Sequence, residues 1–218
     1  MDKQKTFLFF LLLLLFYQSY AFDVKIRVLM EGPLQGSSMS TLLVNELKKH
    51  HAQTPNDAVD IVQVEIRTSL QSQPIETQKA FLLKDGSLVS YSSLQPTIRF
   101  NASGSSYYVV VKHRNHLPLA SKNLVAHQSV CDLTLPQNIF GETKIIQGKA
   151  VMIAGNVFND NGDVNEINAS DFYHVSKAKD NRLSGYVVED VNLDGVVNEK
   201  DFDIVKNHAD KLYFSQIQ

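Results

Sequence analysis

The sequence predicts a mainly β chain, an antiparallel β-sandwich over residues 22–153 followed by a small α-helical pair of loop-helix units over 154–218. Three observations carry this. Short apolar runs alternate with polar residues between Phe22 and Ile153 and are separated by turn residues. Their number and length suit an immunoglobulin-like sandwich. A dense Asp/Asn/Gly loop then leads directly into a helical pattern, Asp201-Phe-Asp-Ile-Val-Lys-Asn-His. A damaged copy of the same loop and helix lies thirty residues earlier.

The strands follow in order. Val24-Lys-Ile-Arg-Val-Leu-Met alternates apolar and basic residues, as a half-buried strand does. Val59-Asp-Ile-Val-Gln-Val-Glu-Ile-Arg places Val62, Val64 and Ile66 on one face. Ala80-Phe-Leu-Leu and Ser87-Leu-Val-Ser flank Lys84-Asp85-Gly86, a hairpin on an Asp-Gly turn. Thr97-Ile-Arg-Phe, Tyr107-Tyr-Val-Val-Val-Lys-His and Ala150-Val-Met-Ile complete the series. Ser40 to Lys49 is the exception, since Leu43, Val44 and Leu47 suit a short helix.

The N-terminus reads as a secretory signal over residues 1–21. Lys3 and Lys5 precede the apolar run Thr6 to Phe16, whose eleven residues are too few to span a bilayer. Ser19-Tyr20-Ala21 fits the cleavage site, so the mature chain begins at Phe22 and is expected outside the cell or on its surface. No later stretch is long enough for a membrane span. With 21 Lys and Arg against 23 Asp and Glu, the net charge of −2 offers no basic field for nucleic acid. Cys131 is the only cysteine and cannot form an internal disulfide. It reads as a small buried apolar residue. Any staple must therefore be a metal.

The loop Asp190-Val-Asn-Leu-Asp-Gly-Val-Val-Asn-Glu-Lys-Asp201 supplies that metal site. Oxygen side chains fall at positions 1, 3, 5, 9 and 12: Asp190, Asn192, Asp194, Asn198 and Asp201. Val196, at position 7, offers its backbone carbonyl, and Gly195 at position 6 permits the turn. This is the EF-hand loop with Asp in place of the final Glu, and its expected ion is Ca²⁺, which takes six to eight oxygens at about 2.3–2.6 Å. In the earlier copy, Asn168, Asp171, Phe172 and Val175 align with Asn198, Asp201, Phe202 and Val205. Asn159, Asn161 and Asp163 align with Asp190, Asn192 and Asp194 at an offset of thirty-one. On that count the first loop has one extra residue and Val164 in place of the glycine. It reads as a weaker or lapsed second site, because affinity follows charge count and rigidity. Phe172, Val175, Phe202, Ile204 and Val205 form the expected core between the two helices.

Two such units in tandem resemble a type I dockerin. The pattern D-x-N-x-D-G-x-x-N-x-x-D, followed by a short helix and duplicated once, is fully matched in Asp190–Asp201 and partly in Asn159–Asp171. The resemblance covers about residues 154–214. It implies two pseudo-symmetric units, Ca²⁺-dependent folding and a cohesin-like or other surface protein as partner. Loop positions 10 and 11, often Ser-Thr-like pairs in that family, are Ala169-Ser170 and Glu199-Lys200 here. A second resemblance rests on Glu31-Gly32-Pro33, Val64-Glu65-Ile66-Arg67, Ala80–Val89, Tyr107–Leu117 and Ala154-Gly155-Asn156. Together these are similar to a module found in the C-terminal parts of secreted and surface proteins of Bacteroidetes-type bacteria. There the module leads into paired Asp/Asn/Gly loops.

Candidate chemistry elsewhere is sparse. His113-Arg114-Asn115-His116 has a histidine pair at i, i+3, which on a strand would point to opposite faces. Leu117-Pro118 ends the strand, so this group is expected to close the sheet end with hydrogen bonds. His50-His51 closes the short helical segment, a common place for histidine. Glu65, Asp85 and Asp132 are scattered acids, and no nucleophile elbow, zinc-binding His pair or phosphate loop occurs. Tyr91, Tyr107 and Tyr108 could stack on a polysaccharide, although strand aromatics usually lie in the core. The favoured reading is a secreted, non-catalytic Ca²⁺-binding module for surface attachment or protein assembly, linked to polysaccharide use. The alternatives are a small secreted glycan hydrolase with a dockerin-like tail and a purely structural Ca²⁺-stabilised domain.

Overall fold

A computed structural model describes residues 21–158 and 165–217. Residues 1–20, where the secretory signal is expected, and the stretch holding Asn159, Asn161, Asp163 and Val164 lie outside these residues. The chain is mainly β. Its strands are β1 (Phe22–Arg27), β2 (Leu34–Gln35), β3 (Ser38–Met39), β4 (Ala58–Arg67), β5 (Glu76–Leu83), β6 (Leu88–Ser90) and β7 (Ile98–Phe100). Then follow β8 (Ser106–Lys112), β9 (Leu119–Ser121), β10 (Val125–Ala126), β11 (Ser129–Asp132), β12 (Ile139–Phe140), β13 (Lys144–Ile146) and β14 (Lys149–Val151). Helix α1 is Val44–His50, and the two later helices are α2 (Ala169–Asp180) and α3 (Glu199–Ala209).

The larger sheet runs β12-β9-β8-β4-β5-β6, with β10 added to β8. The facing sheet is β11-β1-β7. Val62, Val64 and Ile66 project from β4 into the space between them and meet Phe22, Val24 and Ile26 of β1, all buried. The Asp-Gly hairpin is present: Leu82 pairs with Leu88, and Gly86 takes φ +87°, which a side chain would strain. The sheets are not wholly antiparallel. β1 pairs in parallel with β11, Ile26 opposite Cys131. This pairing joins segments about a hundred residues apart, and local alternation carries no signal for it. α1 lays Leu47 on Ala58, Phe81 and Val89 outside the main core.

The helical pair has no independent core. Val175 and Val205 are buried, and Phe172 meets Phe202 with ring centroids 4.9 Å apart. The same cluster includes Leu117, Ile153 and Ala154 from the sandwich end. The core expected between the helices is therefore shared. Leu193, from the Asp190–Asp201 loop, goes the other way and joins the sandwich core. No helix among the described residues is long and apolar enough to cross a membrane.

Candidate functional site

Both helices start in the same way. Asn168 and Asn198 are N-caps whose side chains accept from Ser170 N at 2.7 Å and Lys200 N at 2.9 Å. Asp171 and Asp201, three residues on, accept in return from Asn168 N and Asn198 N at 2.9 and 3.0 Å. These are reciprocal capping boxes. The second carboxylate oxygen of each reaches into its loop. Asp201 Oδ1 accepts from Val191 N (2.9 Å) and Asn192 N (3.1 Å). Asp171 Oδ1 accepts from Val157 N (2.7 Å) and Phe158 N (2.9 Å).

The two units are tied by matching backbone pairs. Val197 N donates to Leu183 O and Gly185 N to Gly195 O, at 2.9 and 2.8 Å. Thirty residues away, Ile167 N donates to Tyr213 O and Ser215 N to Asn165 O, both at 2.8 Å. Asn165, with φ +53°, thus holds the place of Gly195, φ +90°. Val164 was expected there; asparagine is the side chain that tolerates this conformation best after glycine. Val157 and Phe158 hold the places of Val191 and Asn192, thirty-four residues apart. The first loop therefore carries four extra residues between its third and sixth positions, not one. On this frame Asn156 stands where Asp190 stands. It is buried, and its Oδ1 has no hydrogen-bond partner among the described residues. Asn159, Asn161 and Asp163 fall in the segment not described.

The second loop is described throughout. Asp190 is buried; its Oδ1 accepts from Asp194 N at 3.1 Å and its Oδ2 from Gly195 N at 2.8 Å. Asn192 Oδ1 accepts from Asp194 N (2.9 Å), and Asp194 Oδ1 from Val196 N (3.1 Å). Asn198 Nδ2 donates to the Val196 carbonyl at 3.0 Å. Burial, reinforced by the charge of Asp201, pushes the Asp190 carboxyl up to about 6 against the pull of the Gly195 and Asp194 amides. Burial and the charge of Asp194 raise Asp201 likewise. Among the described residues none of these three carboxylates has an ion-pair partner. No group of three Asp, Glu, His or Cys side chains converges there as a metal cage. The oxygens turn instead to loop amides, and Asn192, Asn198 and the Val196 carbonyl make up the rest of the set. An all-oxygen set with three carboxylates suits a hard cation such as Ca²⁺ and no softer metal.

The sandwich supplies a second cluster at the His113–His116 sheet end, where hydrogen bonds were expected but the partners Asp60 and Tyr186 were not. Asp60 is fully buried beside β8's exit. Its Oδ1 accepts from Tyr186 OH (2.8 Å) and Ile61 N (2.7 Å). Its Oδ2 lies 3.1 Å from both Arg114 Nε and His113 Nε2. Arg114 stacks over the Tyr186 ring, 4.4 Å from its centroid, and donates to the Val187 carbonyl. Burial alone would raise the Asp60 carboxyl; His113, then Arg114 and the Ile61 amide, bring it down to about 2. Because β8 ends at Lys112, His113 and His116 are not on opposite faces of a pleat. Their rings meet edge to face, centroids 5.0 Å apart. Burial, then the charges of His113 and Arg114, hold His116 well below the usual imidazole range. Nearby, His208 of α3 donates from Nδ1 to the Ala154 carbonyl at 2.7 Å and brings Nε2 within 3.2 Å of Glu31, which also pairs with Lys144.

Other candidates are structural. Glu65 is buried in ion pairs with Arg67 and Lys112, at 2.5 and 2.9 Å. Asp85 and Asp132 accept from the amides of Ser87 and Thr134 in their own turns. Tyr107 packs edge-on against Phe22, Tyr91 stacks on Phe81, and Tyr108 joins the small cluster of Leu70, Val110, Ala120 and Ile217. Burial, then the charge of Asp132, pushes the Cys131 thiol up to about 12. The thiol should therefore resist an aromatic disulfide reagent at pH 8 and react at once in denaturant. Rapid labelling of the folded protein would contradict this environment.

No protein-family model and no curated protein matches the chain. Solved structures do. One is a C-terminal interface mutant of a type II cohesin–X-dockerin complex from Acetivibrio cellulolyticus; the match is 17% identical, covers 90% of this chain and 97% of that one, and has a TM-score of 0.48. The N-terminal interface mutant of the same type of complex matches at 18% identity, the same coverage and a TM-score of 0.50. The likeness is one of fold.

Proposed function

We propose that this chain is a secreted, non-catalytic binding module whose loop-helix pair takes Ca²⁺ and presents a surface to a protein partner. The observation that carries this reading is the Asp190–Asp201 loop. Among the described residues its buried carboxylates have no ion-pair partner, and their oxygens belong to a loop repeated with matching caps and backbone pairs. Buried carboxylates in that state need a cation or a proton. The first loop has neutral Asn156 in the place of Asp190, Phe158 in the place of Asn192 and a longer span, so it is the weaker site.

Protein binding is supported by the fold's likeness to part of a two-protein complex at TM-score 0.50. The aligned 90% of this chain is more than the sandwich alone contains. Asp60 and Glu65 are held in ion pairs, and Asp85 and Asp132 in their own turns, which favours binding over hydrolysis. A cohesin-like surface protein in a polysaccharide-using assembly is the partner this reading names. The docking surface is the exposed side of α2 and α3 with Ala169, Ser170, Glu199, Lys200, Lys177, Lys206 and Asn207, all solvent-exposed. Glu199 is engaged by Lys179 at 3.0 Å, so its charge is partly spoken for.

The test is capture of purified cohesin modules by the immobilised chain, with Ca²⁺ and with chelator. Ca²⁺-dependent capture, weakened by Lys200→Glu with Lys206→Glu at unchanged Ca²⁺ affinity, is the expected result. Capture that ignores chelator, or release of reducing sugar from a glycan panel, would replace this reading with another.

A further inference from the structure

The seam between the sandwich and the second loop is built with unusual closeness. Asn115, fully buried just past β8, donates from Nδ2 to the carbonyls of Val188 (2.9 Å) and Asp190 (2.8 Å). Its Oδ1 is held by His116 Nδ1 at 2.8 Å, which fixes the amide's orientation. The Nε2 of His116 in turn accepts from Gly32 N at 3.4 Å. Gly32 lies flat against the loop: a β-carbon there would stand 1.8 Å from the Val191 carbonyl oxygen. One residue farther on from Asn192, Leu193 has φ +57° and no exposed surface, its side chain in the sandwich core. A leucine in that backbone region is strained and persists where burial holds it. The backbone of Asp190, Val191 and Leu193 is thus set from outside by three separate sandwich contacts.

We propose that the sandwich forms the outer shell of the cation loop, with Asn115 as a positioning residue for Asp190. The inference rests on the reading that this loop binds Ca²⁺. A loop that must be drawn into one shape around an ion binds more tightly when its backbone is already held there. Groups that orient a ligand from behind typically change metal affinity by about 10- to 100-fold when removed. The linkage runs both ways: an ion that favours the docked loop also favours the docked sandwich end.

The experiment uses the chain stripped with chelator and titrated with CaCl₂ by calorimetry, alongside thermal unfolding without Ca²⁺. Asn115→Asp keeps the acceptor for His116 and replaces the donor to Asp190 O. It should weaken the tighter Ca²⁺ event by at least about tenfold. Gly32→Ala, which pushes at the loop from the other side, should do the same. A merely structural role would lower the Ca²⁺-free melting temperature of both variants and leave their Ca²⁺ affinity at the wild-type value; that result overturns the proposal. Amide exchange on the wild type, which needs no variant to fold, should slow at Val28–Gly32 and Asn115–Leu117 when Ca²⁺ is added. Unchanged exchange there, with Ca²⁺ bound, overturns it equally. A wild-type chain that takes up no Ca²⁺ removes the calcium reading itself, and the coupling with it.

Discussion

Replacing Asp190 and Asp201 together with alanine should abolish the tighter of the chain's Ca²⁺-binding events. Both carboxylates are buried, and with Asp194 they are the carboxylates of the expected ligand set. Two neutral methyl groups would leave one carboxylate, two amides and a carbonyl, too little charge to strip water from a divalent ion. Asp201 is also a helix-capping residue, so its loss should loosen the first turn of α3 by about 0.5–2 kcal/mol. Asp201→Asn retains one acceptor oxygen for the Val191 and Asn192 amides but removes the charge and the bond back to Asn198 N, so the helix's share is read separately from the melting temperature without Ca²⁺. Calorimetry should show the tight event lost in the double variant and weakened in Asp201→Asn. Unchanged affinity in the double variant would sink the assignment of this loop.

Asp60→Ala should destabilise the chain by about 3–5 kcal/mol, the usual result of removing one partner from a buried ion cluster. Arg114 and the Tyr186 hydroxyl would lose their acceptor, and His113 the carboxylate 3.1 Å from its Nε2. The same site shapes the acid limb of stability. The folded Asp60 carboxyl, at about 2, lies below its unfolded value of 3.8. A depressed carboxyl contributes its stabilisation above the unfolded value, and the contribution fades as pH falls from about 4 towards 2. The pH-dependent part amounts to about 2 kcal/mol. Urea unfolding at pH 7 and pH 3 should show Asp60→Asn losing less stability on acidification than the wild type does. Parallel acid limbs in the two proteins would refute the role given to Asp60.

Much of this molecule was visible in local pattern. Val62, Val64 and Ile66 announced an inward face because strand side chains alternate, and Lys84-Asp85-Gly86 announced a hairpin because few residues take its turn. The second unit's loop-to-helix junction was legible for the same reason: Asn198 followed three residues later by Asp201 is the spacing of a capping box. Long-range arrangement was not legible. Asp60 meets His113 and Arg114 from one distant segment and Tyr186 from another, and nothing near Asp60 in the chain distinguishes it from a polar residue on an edge. The parallel partner of β1 was hidden likewise. The first loop misled for a different reason. Asn159, Asn161 and Asp163 imitate the alternating pattern of the second loop, so alignment by residue type chose an offset of thirty-one. Hydrogen bonds to Asp171 place Val157 and Phe158 in register instead. A side-chain oxygen pattern can be matched by chance in an Asn-rich stretch; a backbone cradle around one carboxylate cannot.

The backbone pairs that tie the two units also set an order in time. Val196 and Val197 close on Leu183 and Ser184, which precede them by only a short stretch of chain. Glu166 and Ile167 close on Tyr213 and Phe214, which lie beyond both helices. As the chain emerges from a ribosome, the second loop can complete its pairing while Tyr213 and Phe214, which close the first, are still unmade. The loop that comes first in the sequence is therefore the last to be finished, and until then its apolar residues, Val157 and Ile167 among them, wait for their cover.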